Sequence, residues 1–226
     1  MIGVLIADDQ ALVRRGFRLI LEIEPDLDVI AEAADGAEAV QKCRELHPDI
    51  VLMDVRMPGV DGIAATREIT TDESTAASRV VMLTTFDMDE YVYAALQAGA
   101  SGFLLKDVQP ELLVAGIRAV HAGESLLAPS VTRRMIETFL ASPRSVDLQT
   151  QTRLDTLTER ERETLVLMAR GLTNSEIAAE LFVAETTAKT HVRRVLMKLD
   201  LRDRVQAVIY AYENGLLNRH DGAGPG

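Results

Sequence analysis

Acidic side chains that could bind a metal ion occur directly after two short apolar segments of this 226-residue chain. Asp8 and Asp9 follow the segment 2–7, and Asp54 follows the segment 50–53. Crowded carboxylates raise one another's pKa unless a positive charge lies among them. A hard divalent cation such as Mg²⁺ supplies that charge and also binds water and phosphate oxygens. With Mg²⁺ in place, one of these carboxylates could attack a phosphoryl group and form an aspartyl phosphate.

Groups that bind phosphate follow two later apolar segments. Thr84 and Thr85 follow the segment 80–83, and Lys106 follows the segment 102–105. Lysine and threonine side chains both donate hydrogen bonds to phosphate oxygens. A single acid in such a place is more often a helix cap or a solvated loop residue, but acids, hydroxyls and a lysine together favour one shared site.

The pattern between these residues predicts the elements that position them. Five short β-branched segments alternate with five amphipathic helical patterns: strands 2–7, 29–33, 50–53, 80–83 and 102–105, and helices 11–24, 37–46, 61–71, 88–98 and 110–122. This alternation predicts an α/β fold, a doubly wound five-stranded parallel sheet with helices on both faces. Because functional groups collect at the carboxyl ends of such strands, the acids, threonines and lysine should meet at one edge.

The second half of the chain has no strand signal. One further helix is predicted at 129–141, and the polar stretch 142–152 is typical of a linker. Four helical patterns then predict an all-α domain, at 159–170, 174–181, 185–199 and 202–214, with Asn174 as the N-cap of the second. We therefore predict domains at 1–122 and 157–217, a linker at 123–156 and a disordered tail at 218–226.

Charge is unevenly divided between the two halves. Residues 1–125 contain 22 acidic and 10 basic residues, whereas residues 153–220 contain 10 and 11. Such asymmetry suggests different partners for the two parts. No apolar run approaches the roughly 20 residues that span a bilayer, so we expect a cytoplasmic protein with no membrane partner. The single cysteine, Cys43, excludes an internal disulfide and is typical of a small core residue.

A locally basic helix lies in the second half. Within 185–199, Lys189, Thr190 and Arg193 lie on a different face from an apolar stripe that consists of Val192, Val195, Leu196 and Leu199. A helix, a short turn and a second helix with an outward cationic face form the helix-turn-helix arrangement, whose second helix enters the major groove of DNA. A merely solvated helix face is the alternative interpretation of the cations alone.

The segments IADDQALVRRGF, DIVLMDVRMPGVDG, VVMLTTFD and GASGFLLKD resemble the receiver domain of two-component response regulators, over about residues 1–122. The resemblance implies the flavodoxin-like strand order 2-1-3-4-5. It also implies a role for each residue of the site. Asp54 would be the phosphoacceptor and a Mg²⁺ ligand, Asp9 a direct ligand, Asp8 a ligand through water, and the backbone carbonyl of Arg56 a further ligand; Thr84 would be the switch hydroxyl, Lys106 would bind phosphate, and Phe103 would be the rotating aromatic residue.

Residues 157–217 resemble the C-terminal DNA-binding domain of LuxR-type regulators, and the two domains together resemble the NarL/FixJ family. The resemblance implies base or phosphate contacts for Lys189, Thr190 and Arg193, backbone contacts for His191, Arg194 and Lys198, and a dimerisation helix with Val205, Val208 and Ile209. Two positions depart from the family pattern. Ala184 replaces a capping serine, and Ala188 replaces a bulkier valine.

These features predict a transcription regulator that a sensor histidine kinase phosphorylates at Asp54. It should bind double-stranded operator DNA as a homodimer and contact RNA polymerase. It should not be an enzyme beyond slow autodephosphorylation. A phosphohydrolase is disfavoured because Arg56 stands where such enzymes place a second acid. The remaining alternative is a phosphorylation-independent regulator of the same architecture, which should lack Asp9, Asp54, Thr84 or Lys106, but all four are present.

Overall fold

The computed structural model describes residues 1–84, 89–123 and 154–216. The chain divides into two compact units, Met1–Ala128 and Pro129–Gly226. Thr85, the predicted helix 129–141, the polar stretch 142–152 and the tail 218–226 lie outside the described residues. The domain boundaries proposed from sequence therefore stay predictions.

The first unit consists of strands that alternate with helices. In chain order they are β1 (Ile2–Ala7), α1 (Ala11–Leu21), β2 (Leu27–Ala33), α2 (Gly36–Leu46), β3 (Ile50–Asp54), α3 (Gly62–Thr71), β4 (Arg79–Thr84), α4 (Asp89–Gln97), β5 (Gly102–Leu105) and α5 (Pro110–His121). All strand pairs are parallel, and the order across the sheet is β2-β1-β3-β4-β5. The predicted α/β class and strand order are confirmed.

One apolar core fixes the strands beneath helices α1 and α5. Strand β3, in the middle of the sheet, is buried along its whole length. The core packs side chains of the central strands against both helices, among them Ile6, Leu52, Leu83, Phe17, Leu21, Leu113 and Ile117. Burial of each such side chain contributes about 1.5–3 kcal/mol. The carboxyl ends of the strands are thus held at fixed positions relative to one another.

Helix ends follow local side-chain chemistry. Asp35 caps α2, because its carboxylate accepts a hydrogen bond from the Glu38 N–H at 2.9 Å. Helix α1 was predicted to reach residue 24 but ends at Leu21. The Glu24 N–H donates to the Leu21 carbonyl at 3.1 Å in a turn before Pro25, and this turn closes the helix early.

The described part of the second unit is helical, with α6 (Glu159–Ala169), α7 (Asn174–Glu180), α8 (Glu185–Leu199) and α9 (Arg204–Glu213). The prediction that Asn174 caps α7 is wrong. Thr173 is the N-cap, since its hydroxyl accepts from the Glu176 N–H at 3.3 Å while Glu176 accepts from the Thr173 N–H at 2.7 Å. This reciprocal pair satisfies two donors that a cap by Asn174 would leave open.

Helix α9 begins at Arg204 because Asp203 caps it. The three residues predicted to form a dimer contact on this helix, Val205, Val208 and Ile209, are 0%, 2% and 5% exposed. Their side chains belong to the core of the unit, so this prediction is corrected: these groups are not available to a second subunit. Among the described residues, no helix is long and apolar enough to cross a membrane.

Candidate functional site

The predicted site residues meet at the carboxyl edge of the sheet. Asp54 ends β3 and lies opposite Leu83 of β4, and Thr84 ends β4 opposite Leu105 of β5. The Lys106 N–H donates to the Thr84 carbonyl at 2.9 Å, which fixes the lysine directly beyond β5. Register alone therefore brings an acid, a hydroxyl-bearing residue and a lysine from three neighbouring strands to one place.

Lys106 lies between two buried carboxylates. Its Nζ atom is 2.8 Å from Asp8 Oδ2 and 2.8 Å from Asp54 Oδ2. The side chains of Lys106, Asp8 and Asp54 are 12%, 0% and 7% exposed. Ion pairs of this kind are weakly screened by solvent, so loss of Lys106 would leave two buried carboxylates without a compensating charge.

Burial is the largest influence on the pKa of Asp54. It raises the pKa of Asp54, and the negative charge of Asp8 acts in the same direction. The hydrogen bonds from Lys106 and from the Arg56 N–H lower this pKa but do not offset burial. Burial alone would lower the pKa of Lys106, yet its bonds to Asp54 and Asp8 outweigh burial and raise it. The lysine therefore stays charged beside a carboxylate that is costly to ionise.

Three carboxylates at this edge fit a small divalent cation. Oxygens of Asp8, Asp9 and Asp54 all lie within 4.8 Å of one another, and Asp9 is exposed. Mg²⁺ binds oxygen ligands at about 2.1 Å and usually keeps several waters, so one ion at this edge can bind carboxylates directly and through water. Asp8 Oδ2 lies 2.8 Å from the Lys106 ammonium and has a second lone pair, so it retains acceptor capacity.

Supporting groups around the acids were not foreseen from sequence. The Arg14 guanidinium donates to the Asp8 carbonyl at 2.6 Å, and the Gln10 N–H donates to Asp8 Oδ1 at 2.9 Å. A Cβ atom on Gly62 would lie 1.9 Å from the Asp54 carbonyl oxygen, so only glycine fits there. The sequence carries no signal for this approach of two backbones.

Phe103 lies in β5, and Arg56 lies in the loop that follows β3. The Phe103 ring is buried at 4% exposure within β5, and Thr84 is half-buried at the end of β4. The exposed Arg56 packs its guanidinium 5.3 Å from the centre of the Tyr91 ring on α4. That contact ties the loop after Asp54 to α4. The predicted Mg²⁺ ligand, the Arg56 carbonyl, stays a prediction.

Helix α8 presents its cations outward. Val192, Val195 and Leu199 are buried, and Leu196 is half-buried. Residues on the opposite side are exposed: Lys189, Thr190, Arg193 and Arg194. The division of the helix into an apolar face and a cationic face follows the prediction, and four polar side chains are accessible to a large partner.

Two residues predicted to contact DNA from α8 are positioned differently. Lys198 Nζ lies 2.7 Å from the buried Glu161 Oε2 and 3.0 Å from the Thr156 carbonyl, so this ammonium already has partners within the unit, and its contact with the DNA backbone stays a prediction. His191 is half-buried, and its Nδ1 atom has no hydrogen-bond partner among the described residues. Ala184 provides no side-chain cap, as expected.

Comparison with known proteins identifies both units. Residues 4–118 match the response regulator receiver domain, and residues 155–211 match the bacterial regulatory proteins of the luxR family. The transcriptional regulatory protein LnrK of Bacillus subtilis is 42% identical over 96% of this chain and 99% of its own.

Solved structures give the same assignment. The response regulator ChrA of a heme-sensing two-component system is 35% identical, covers 96% of this chain and 98% of its own, and has a TM-score of 0.51. The response regulator RcsB, in a complex with DNA, is 25% identical over 94% of this chain and 98% of its own, with a TM-score of 0.53. The chain belongs to the two-component response regulators that join a receiver domain to a LuxR-type helix-turn-helix domain.

Proposed function

We propose that this response regulator accepts a phosphoryl group on Asp54 from a sensor histidine kinase, and that the modification controls DNA binding by α8. The observation that carries the proposal is the buried arrangement of Asp54, Asp8 and Lys106, with both ion-pair distances at 2.8 Å. Charges this closely grouped cost free energy to bury, and a role in phosphoryl transfer explains why they lie together.

In the proposed transfer, a carboxylate oxygen of Asp54 attacks the phosphorus of a phosphohistidine. A P–O bond forms as the P–N bond breaks, and the imidazole nitrogen leaves and takes up a proton. Mg²⁺ held by Asp9, Asp54 and, through water, Asp8 would neutralise charge on the phosphoryl oxygens. Lys106 already lies 2.8 Å from the attacking carboxylate and would donate to a phosphoryl oxygen once the aspartyl phosphate forms.

The product places more negative charge in the site. A phosphoryl group carries about −1.5 to −2 at neutral pH, and it replaces a carboxylate that is paired with Lys106. We propose that the lysine moves from Asp8 toward the phosphate, and that the Thr84 hydroxyl follows it. The Phe103 ring, buried in the neighbouring strand β5, then occupies the space that the hydroxyl leaves.

DNA binding is proposed for the cationic face of α8. Lys189 and Arg193 are separated by one helical turn on that exposed face, and the related RcsB has been solved in a complex with DNA. Phosphorylation makes an acidic half more negative, so electrostatics alone would weaken DNA binding. A gain in affinity therefore requires a structural cause, and we propose dimerisation, which places two recognition helices on half-sites about one helical turn apart. A contact with RNA polymerase stays a prediction.

The first test is incubation with acetyl phosphate followed by intact mass measurement. We expect one added phosphoryl group on the wild type, none on Asp54→Asn, and none in excess chelator. Asp28→Asn, which removes an exposed acid of β2, is the matched control and should react like the wild type. Modification of Asp54→Asn, or modification in excess chelator, would contradict the assignment.

The second test measures DNA affinity and mass together. Operator sequences are first selected from random DNA. Binding to them is then titrated with and without acetyl phosphate, and the mass of the protein is measured in parallel by sedimentation. Replacement of Lys189 or Arg193 by alanine should weaken binding by about 1–3 kcal/mol where the side chain reads a base edge. Arg15→Ala removes an exposed cation of α1 and should leave affinity unchanged. Tighter binding by a protein that stays monomeric would refute dimerisation, and equal affinity in both states would support the phosphorylation-independent alternative.

A further inference from the structure

An exposed methionine lies on the cationic face of α8. Met197 is 71% exposed, although methionine is usually buried. It follows Arg193 by four residues and Lys189 by eight, so the three share one side of the helix, opposite the buried Val195 and Leu199. Single exposed apolar residues are common on proteins. Met197 differs from these because it lies on the cationic face of α8, to which the proposed function assigns DNA binding.

In the last turn of α8, where Met197 lies, the basic residue is already paired within the unit. Lys198 is adjacent in sequence, but its ammonium lies 2.7 Å from Glu161 within the unit. The group presented toward a partner beyond Arg193 is therefore the flexible thioether chain of Met197. Such a side chain gains free energy by covering apolar surface, not by approaching phosphate.

Among the base edges of the major groove, thymine alone carries an apolar group, its C5-methyl. We propose that Met197 packs on a thymine methyl and thereby specifies a T·A pair in the operator. The inference rests on the DNA binding proposed for α8. Each residue of a helix rises about 1.5 Å, so Met197 lies about 6 Å beyond Arg193 along the axis. At about 3.4 Å per base pair, the thymine should lie about two pairs from the position that Arg193 reads.

The test removes the methyl group from the DNA and the thioether from the protein in turn. Each thymine of the selected operator is replaced by deoxyuridine, which lacks only the methyl, and affinity is measured for the wild type and for Met197→Ala. We expect the wild type to lose about fourfold in affinity at one position, which corresponds to about 0.8 kcal/mol for one buried carbon group. Met197→Ala should bind thymine and deoxyuridine there equally.

Matched controls separate this effect from a change in folding. Alanine is the best helix former, so Met197→Ala should keep the helical circular dichroism of the wild type. Phe182→Ala removes another exposed apolar side chain of the same unit, 95% exposed and outside α8, and should keep the response to deoxyuridine.

Three results would overturn the inference. Equal deoxyuridine responses of wild type and Met197→Ala at every position would exclude the methyl contact. A uniform loss of affinity in Met197→Ala, whatever the base, would assign Met197 to the sugar-phosphate backbone. Wild-type protein that binds no DNA, phosphorylated or not, would refute the proposed function itself and the inference with it.

Discussion

Replacement of Lys106 by methionine tests the charge balance of the acidic site. Methionine keeps most of the apolar stem but removes the ammonium, which lies 2.8 Å from each of Asp8 and Asp54. The two buried carboxylates then face each other without a positive charge. We expect the variant to be less stable at neutral pH in the absence of divalent cations.

The structure sets the size of this loss. Carboxylate oxygens of Asp8 and Asp54 lie within 4.8 Å of each other. These two like charges repel each other in the wild type as well, and the Lys106 ammonium offsets that repulsion. Removal of one partner from a buried ion pair costs about 3–5 kcal/mol by mutation. Lys106→Met should therefore lower the free energy of unfolding by about 3–5 kcal/mol.

The assay is urea unfolding followed by circular dichroism, in chelator and in saturating MgCl₂. Lys42→Met is the matched control, because Lys42 forms a half-exposed pair with Glu38 at 2.5 Å on the same unit. Such pairs contribute about 0–1 kcal/mol, so this control should lose little. Mg²⁺ should restore much of the deficit of Lys106→Met, since it binds the native acids selectively. Equal losses in the two variants, or a deficit that Mg²⁺ leaves unchanged, would refute the reasoning.

Three further predictions concern packing and titration. Gly62→Ala should cost about 1–3 kcal/mol by clashing with the main chain of Asp54, whereas Gly16→Ala, in open space on α1, should stabilise by about 0.5–1 kcal/mol; thermal unfolding compares them. Burial raises the pKa of the Cys43 thiol to about 12, so alkylation at pH 8 should require unfolding, and rapid labelling of native protein would contradict this. Burial acts to raise the pKa of Glu161, but Lys198 and a helix cap outweigh it and lower the pKa below 4.5. The ionised Glu161 should therefore stabilise the fold fully above about pH 4.5, and this stabilisation should be lost as pH falls through the lower pKa of the folded state. Hydrogen exchange measured over an acid titration should show this loss in the wild type but not in Glu161→Gln.

The fold of the first unit was predictable because its apolar strand segments alternate clearly with amphipathic helical segments. Strand Ile50–Asp54 is buried along its whole length, and its continuous run of four apolar residues already indicates a strand that is covered on both faces. Strands placed in this way bring Asp54 and Lys106 to one edge without further information. The acids of the site were therefore identifiable before their distances were known.

The differences from prediction arise where a residue's role depends on what packs against it. Helical periodicity assigned Val205 and Lys198 to elements, but it does not tell which neighbour covers each face. Val205 is buried by its own unit, and Lys198 turns toward Glu161, which is 37 residues away in sequence. Thr173 and Asn174 are both good capping residues, and only the reciprocal bonds with Glu176 decide between them.

The first turn of α8 is stabilised by other groups although no side chain caps it. Ala184 accepts no hydrogen bond through its side chain, and such a replacement costs about 0.5–2 kcal/mol. Glu185 in the first turn interacts favourably with the helix dipole and also pairs with Lys189 at 3.0 Å. Both partners are about half exposed, so the pair contributes only about 0.3–0.5 kcal/mol and is cheap to break. If Lys189 binds DNA as proposed, giving up its pair with Glu185 would cost only this small amount, while Glu185 would stay in place to stabilise the helix end.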